Sequence, residues 1–320
     1  MLRSFLLYLS NQPQLFRMVR NNRFAKGFAR RFVAGETLDD AIAAVRALNA
    51  RGITASLDEL GESVTNEREA RATRDSYLRI MDRIAEERLD ANVSVKLTAL
   101  GLDIEEDLCV MLMQDLLERA REHGTFVRID MEASAYTERT LRLFEERFYP
   151  SFRPQVGIVL QSYLFRTWAD TERALELQCR VRLCKGAYKE PPSVAFPDKK
   201  DVDDNYVKCM HALMQRGNYP GLATHDPALI AEARRFAKAE GIPPERYEFQ
   251  MLYGVRRDMQ EQLVHDGFRM RVYVPFGSQW YPYLMRRLAE RPANIAFLTG
   301  NILRELVSRR RKSVGPGSRS

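Results

Sequence analysis

The densest chemistry in the chain lies between Tyr283 and Glu290, in the run Tyr-Leu-Met-Arg-Arg-Leu-Ala-Glu. On a helix, Tyr283, Arg286, Arg287 and Glu290 fall at i, i+3, i+4 and i+7 and share one face. Two adjacent guanidiniums beside an aromatic ring and a carboxylate make a poor core face. They make a good clamp for a small anionic ligand, because arginine grips a carboxylate through a rigid, always charged fork. Leu284 and Leu288, with Trp280 a turn earlier, form an apolar stripe that can seat the helix on something beneath it. The alternative for the charged face is a solvated surface with an i, i+4 salt bridge between Arg286 and Glu290.

A clamp needs elements to position it. Strand-like runs are expected at Ile53–Ser56, Asn92–Leu97, Phe126–Met131, Gln155–Leu160, Arg180–Leu183, Gly221–Ala223, Tyr247–Met251 and Arg269–Val274. Helical periodicity separates them, over Asn66–Glu87, Ile104–His123, Glu138–Phe148, Trp168–Gln178, Asp201–Gln215, Pro227–Glu240 and Val255–His265. Alternating strands and helices on this scale predict an α/β fold of the (β/α)8 barrel type. A doubly wound sheet is the runner-up, and no GxGxxG follows the first strand to support it. Polar residues collect where the barrel strands should end. They are Glu62, Lys96, Asp130, Gln161, Arg182 with Lys185, Thr224 with His225, Gln250 and Tyr273. Such groups are costly at strand ends unless they line a pocket. The octet helix follows the last strand, so it is expected to cap the barrel mouth.

Composition sets the outer bounds. The chain has 320 residues, 45% of them hydrophobic, and a formal charge of +7. No apolar run of about 18 residues is present to span a bilayer. Cys109, Cys179, Cys184 and Cys209 show no metal-binding spacing, so free thiols in a reducing, cytoplasmic setting are expected and no metal. The stretch from Met1 to Gly35 holds seven basic residues and no acidic one, interleaved with Leu, Phe, Met and Val. It reads as an amphipathic arm, packed on the body or lying on the inner face of the cytoplasmic membrane. The expected division is a helical arm over 1–49, a barrel over 50–306 and a disordered basic tail over 307–320. Nucleic-acid binding is not expected despite the basic pI, since no helix-turn-helix or zinc-finger pattern appears.

Several motifs in order resemble the proline dehydrogenase family in its short monofunctional form. They are Ser94-Val-Lys-Leu97, Arg128-Ile-Asp-Met131, Arg182-Leu-Cys-Lys-Gly-Ala-Tyr188, Ala223-Thr-His225, Gln250-Met-Leu-Tyr-Gly254, Tyr273-Val-Pro-Phe-Gly277 and Tyr283-x-x-Arg-Arg-x-x-Glu290. The resemblance implies an FAD-containing barrel that oxidises L-proline to Δ1-pyrroline-5-carboxylate and passes electrons to a membrane quinone. A hydroxyproline or other secondary-amine dehydrogenase is the alternative within that scaffold. A basic nucleic-acid or membrane-surface binding barrel without catalysis is the alternative outside it.

The resemblance also implies roles. Arg286, Arg287 and Lys96 would hold the substrate carboxylate, and Glu290 would brace the arginines. Arg182 would sit near the flavin N5 atom and stabilise the reduced ring. Lys185, Gly186, Ala187 and Tyr188 would cradle the cofactor, with Thr224, His225 and Gln250 adding contacts. Met131 and Gln161 would border the isoalloxazine. Tyr273 and Tyr283 would wall the pocket, and the Tyr283 hydroxyl favours proline over hydroxyproline. Asp130 is expected to orient Lys96 or Tyr273, and Glu62 to close a gate with Arg286. Cys184 stands where the family commonly has an aliphatic residue. The short chain lacks the second dehydrogenase domain of bifunctional relatives, so a separate pyrroline-5-carboxylate dehydrogenase is the expected partner.

Overall fold

The computed structural model describes residues 29–61 and 64–290, the side chains of 286–290 excepted. These residues divide between two compact units, one spanning Arg30–Ser278 and another that includes Gln279 onward. The larger unit is a closed barrel of eight parallel strands in sequential order. They are β1 (Thr54–Glu59), β2 (Ala91–Val95), β3 (Val127–Ile129), β4 (Val156–Gln161), β5 (Arg180–Cys184), β6 (Gly221–Ala223), β7 (Glu248–Leu252) and β8 (Met270–Phe276). β8 closes on β1, with Ser56 level with Tyr273.

Helix α1 (Leu38–Asn49) precedes the barrel, and α2 (Glu67–Glu86) and α3 (Glu106–Glu122) follow β1 and β2. After β3 come α4 (Ser134–Leu143), a π-helical turn (Phe144–Phe148) and the short α5 (Tyr149–Phe152). Then α6 (Thr167–Leu177), α7 (Lys199–Arg216), α8 (Pro227–Ala239) and α9 (Arg257–His265) alternate with the remaining strands, and α10 (Trp280–Glu290) lies in the second unit. Local signals explain several starts. Thr37 and Asp40 form a reciprocal capping box on α1. Asn66 caps α2 through the Glu69 N–H, and Asp226 caps α8 just ahead of Pro227.

The strands alternate in a way buried parallel strands usually do not. Ala55, Leu57, Val93, Val95, Val127, Ile129, Val181, Leu183, Phe249, Met251, Val272 and Val274 join the helices in one buried apolar shell. The residues between them are Ser56, Asp58, Asn92, Ser94, Arg128, Arg182, Glu248, Gln250, Arg271 and Tyr273. With a two-residue side-chain period they point into the lumen, where most of them bond one another across the barrel and Arg128 donates to the Ile158 and Arg180 carbonyls. The apolar core is therefore the shell between strands and helices, and the lumen is a polar network. Helix α1 supplies Ala41, Ile42, Val45 and Leu48 to that shell. The compact unit Arg30–Ser278 therefore includes α1 together with the barrel strands. The expected helix over Glu138–Phe148 is displaced as well: α4 starts at Ser134 and ends at Leu143, where the π-helical turn takes over.

Candidate active site

Strand β5 delivers Arg182 into the centre of the lumen, only 6% exposed. Its Nε donates to Gln250 Oε1 at 2.6 Å and its Nη1 to Asp130 Oδ1 at 2.6 Å. Its Nη2 reaches Ser94 Oγ at 3.1 Å and Ser56 Oγ at 3.4 Å. The guanidinium also lies 5.3 Å from the centre of the Tyr273 ring. Groups from β1, β2, β7, β8 and the end of β3 thus fix one side chain. A buried cation tolerates this only because a carboxylate and neutral acceptors replace its lost water.

Asp130 shares its second oxygen with Tyr273, whose hydroxyl donates to Oδ2 at 2.8 Å. Burial, then the charge of Asp130, pushes the Tyr273 phenol well above its usual range, which keeps that hydroxyl a donor. Lys96, at the end of β2, donates to Asp58 Oδ1 at 3.4 Å, and Tyr77 Oη donates to the same oxygen at 3.3 Å. Asp130 therefore holds Tyr273 and Arg182, while Lys96 takes Asp58 as its carboxylate.

A second cluster surrounds the loop after β5. Lys185 Nζ forms an ion pair with Asp203 at 2.5 Å and donates to Asp226 at 2.9 Å. Burial alone would raise both carboxyls, but the ammonium holds each below its ordinary range. In this arrangement the charge of Lys185 is already spent on carboxylates. Gly186 follows with φ of +109°, and a Cβ there would stand 2.3 Å from the Tyr163 ring. Only glycine lets the chain pass so close to that ring. Ala187 and Tyr188 continue outward as exposed residues. Thr224 Oγ1 accepts from the Asp226 N–H at 3.1 Å, and His225 Nε2 accepts from the Leu252 N–H at 2.9 Å. That bond places the proton of the neutral imidazole on Nδ1 and ties the end of β6 to β7. Met131 is buried near the end of β3. Gln161, closing β4, is 4% exposed, and its Oε1 has no hydrogen-bond partner among the described residues.

The barrel thus brings together Lys96, Asp130, Arg182, Gln250 and Tyr273, with Met131, Gln161, Lys185–Tyr188, Thr224 and His225 at the same C-terminal strand ends. Glu62 lies outside the described residues. Tyr283, Arg286, Arg287 and Glu290 stand at one-face spacing on α10, in the second unit, and the side chains of the last three lie outside the described residues. Sequence reading passed over Ser56, Ser94, Asp58, Glu248 and Arg271. The signal was available in the alternation Ala-Ser-Leu-Asp on β1 and Glu-Phe-Gln-Met on β7. It also passed over Asp203 and Asp226, of which the Asp-Pro start of α8 announces the second. Among the described residues, no group of three or more His, Cys, Asp or Glu is arranged to hold a metal ion.

The family model described as proline dehydrogenase matches residues 41–300. The chain belongs to the proline dehydrogenase family. It is 40% identical to proline dehydrogenase 1 of Bacillus subtilis (strain 168), over 95% of this chain and 100% of that one. It is 38% identical to the proline dehydrogenase of Deinococcus radiodurans, over 94% of this chain and 98% of that one. Among solved structures it resembles proline utilization A from Bdellovibrio bacteriovorus, inactivated by N-propargylglycine. The TM-score is 0.79 at 28% identity, covering 87% of this chain and 34% of that longer one. Family membership makes the chain an oxidoreductase of proline catabolism, built on the family's (β/α)8 barrel.

Proposed function

We propose that this member of the family oxidises L-proline to Δ1-pyrroline-5-carboxylate with FAD, electrons passing onward to a membrane quinone. One observation carries the reading: an arginine held by four hydrogen bonds, Arg182, stands in the centre of the lumen beside Asp130 and Tyr273. The residues around it suit the cofactor. Gln161 Oε1 is a buried acceptor with no partner among the described residues, which fits a ring N–H of the isoalloxazine. Gly186 gives backbone close approach beside Tyr163. When bound, the flavin supplies the two-electron acceptor for the bond between the ring nitrogen and its neighbouring carbon.

This chain's own residues do the rest. Arg182 sets a cation where the reduced ring gathers negative charge. Within the lumen, Arg182 and Lys96 are set against Asp130 and Asp58. That balance suits a zwitterion, and the proline carboxylate falls to Lys96 with Arg286 and Arg287 of α10. In this reading α10 caps the barrel mouth, Glu290 braces its arginines and Glu62 closes a gate over bound substrate. Tyr273 and Tyr283 wall the pocket, and the Tyr283 hydroxyl excludes a 4-hydroxylated ring. Lys185 would reach the pyrophosphate by exchanging one of its two aspartates for it. Among the described residues no helix is long and apolar enough to cross a membrane. Contact with the quinone pool from the cytoplasmic side would run through residues 1–35, and the product would pass to a separate pyrroline-5-carboxylate dehydrogenase.

The test is product trapping. The purified protein, given L-proline and a soluble quinone analogue, should form the coloured adduct of Δ1-pyrroline-5-carboxylate with o-aminobenzaldehyde. Turnover of trans-4-hydroxyproline in preference to proline would overturn the substrate assignment.

A further inference from the structure

Below Arg182 the lumen holds a carboxylate with no part in the scheme above. Glu248 is 3% exposed. Its Oε1 accepts from Gln250 Nε2 at 2.6 Å and from Arg271 Nε at 2.8 Å. Its Oε2 accepts from the Tyr219 hydroxyl at 3.1 Å. Burial would raise this carboxyl, but Arg271 and these hydrogen bonds hold it below the ordinary range, so it is an acceptor and nothing else.

That fixes the Gln250 amide. Its nitrogen must face Glu248, which can only accept, and its oxygen must face Arg182, which can only donate. Both ends of the amide are determined, and Arg182 Nε meets an oxygen at 2.6 Å. The space for this arrangement comes from Gly221. The register sets Gly221 level with Arg182 on one side and Glu248 on the other. A Cβ there would meet Gln250 Nε2 at 2.3 Å and Cδ at 2.8 Å. Glycine on β6 leaves the gap, the amide fills it, and Glu248 orients the amide.

We infer that Glu248 is a positioning residue, aligning the Arg182 guanidinium through the Gln250 amide laid over Gly221. The inference rests on Arg182 serving the flavin, as proposed above. It predicts that loosening the amide lowers kcat and leaves proline binding alone, since Lys96 and the α10 arginines hold the carboxylate.

The experiment pairs Glu248→Gln with Gly221→Ala and reads the midpoint potential of the bound flavin beside the steady-state constants. Gly221→Ala keeps every charge and displaces only the flexible end of Gln250, so it stands even if Glu248→Gln, which strips Arg271 of its carboxylate, fails to fold. Both variants should lose about tenfold in kcat, with KM for proline within about twofold of wild type. Both should shift the potential to more negative values, because a misaligned cation stabilises the reduced ring less. A carboxylate acting only through space would do the opposite, its removal raising the potential. A rise in Glu248→Gln, or a Gly221→Ala protein with wild-type kcat and potential, overturns the inference. A wild-type protein that binds no flavin would instead sink the proposed function, so the two failures are distinguishable.

Discussion

The two halves of the lumen use the same kinds of residue to different ends. At the lower, N-terminal half, aromatic rings separate the guanidiniums. Arg128 and Arg180 flank Phe126 at 4.8 and 5.2 Å, and Arg180 and Arg269 flank Tyr219 at 5.5 Å each. Arg128 is crowded there: burial first, then the neighbouring Arg182, pulls its pKa down to about 9. These rings and guanidiniums stand where the strands begin and close the barrel floor. At the upper half Lys96 and Arg182 each meet a carboxylate, and the buried Gln161 Oε1 has no partner among the described residues. Stability concentrates at one end of such barrels and chemistry at the other. The Gln250 amide joins them.

Substitutions can break or sharpen this contrast. The largest effect is expected at the top, where Arg182→Ala should cost about 4 kcal/mol in kcat/KM, roughly a thousandfold, with the folded protein recovered. Stopped-flow reduction by proline reads it. At the floor, Phe126→Ala should cost about 2 kcal/mol of stability in a denaturant titration and leave the kinetic constants unchanged. A kinetic defect there would erase the distinction between the halves. Asp58→Asn should free Lys96 from its carboxylate and change kcat/KM by about tenfold, close to 1.5 kcal/mol. Tyr273→Phe removes the hydroxyl on Asp130 and should cost about 1 kcal/mol, near fivefold in kcat. Comparison of the last two separates substrate anchoring, read in KM, from support of Arg182, read in kcat.

Much of this was legible in the sequence, for a physical reason. Strand and helix periods differ, so eight alternations marked the barrel, and polar residues at strand ends marked what gathers at the C-terminal end of the lumen. Lys96, Asp130, Arg182, Gln250 and Tyr273 followed from that position alone. What escaped is non-local. The start of α4 at Ser134 carries no local cap, because Glu190 accepts its backbone N–H at 2.8 Å from 56 residues away. The same distance hid the pairing of Lys96 with Asp58, whose positions are 38 residues apart. Nor does the sequence show that Gly221 is needed for its missing side chain; only the register of β5, β6 and β7 reveals the amide it accommodates.

A proline-reducible flavin in this lumen is the central expectation, and one titration tests it directly. The purified protein, supplied with FAD and kept anaerobic, is followed by visible absorbance as L-proline is added. Wild type should show an oxidised flavin band that bleaches with proline, and Arg182→Ala one that bleaches far more slowly. A colourless protein that takes up no FAD, or a bound flavin indifferent to proline, would contradict it.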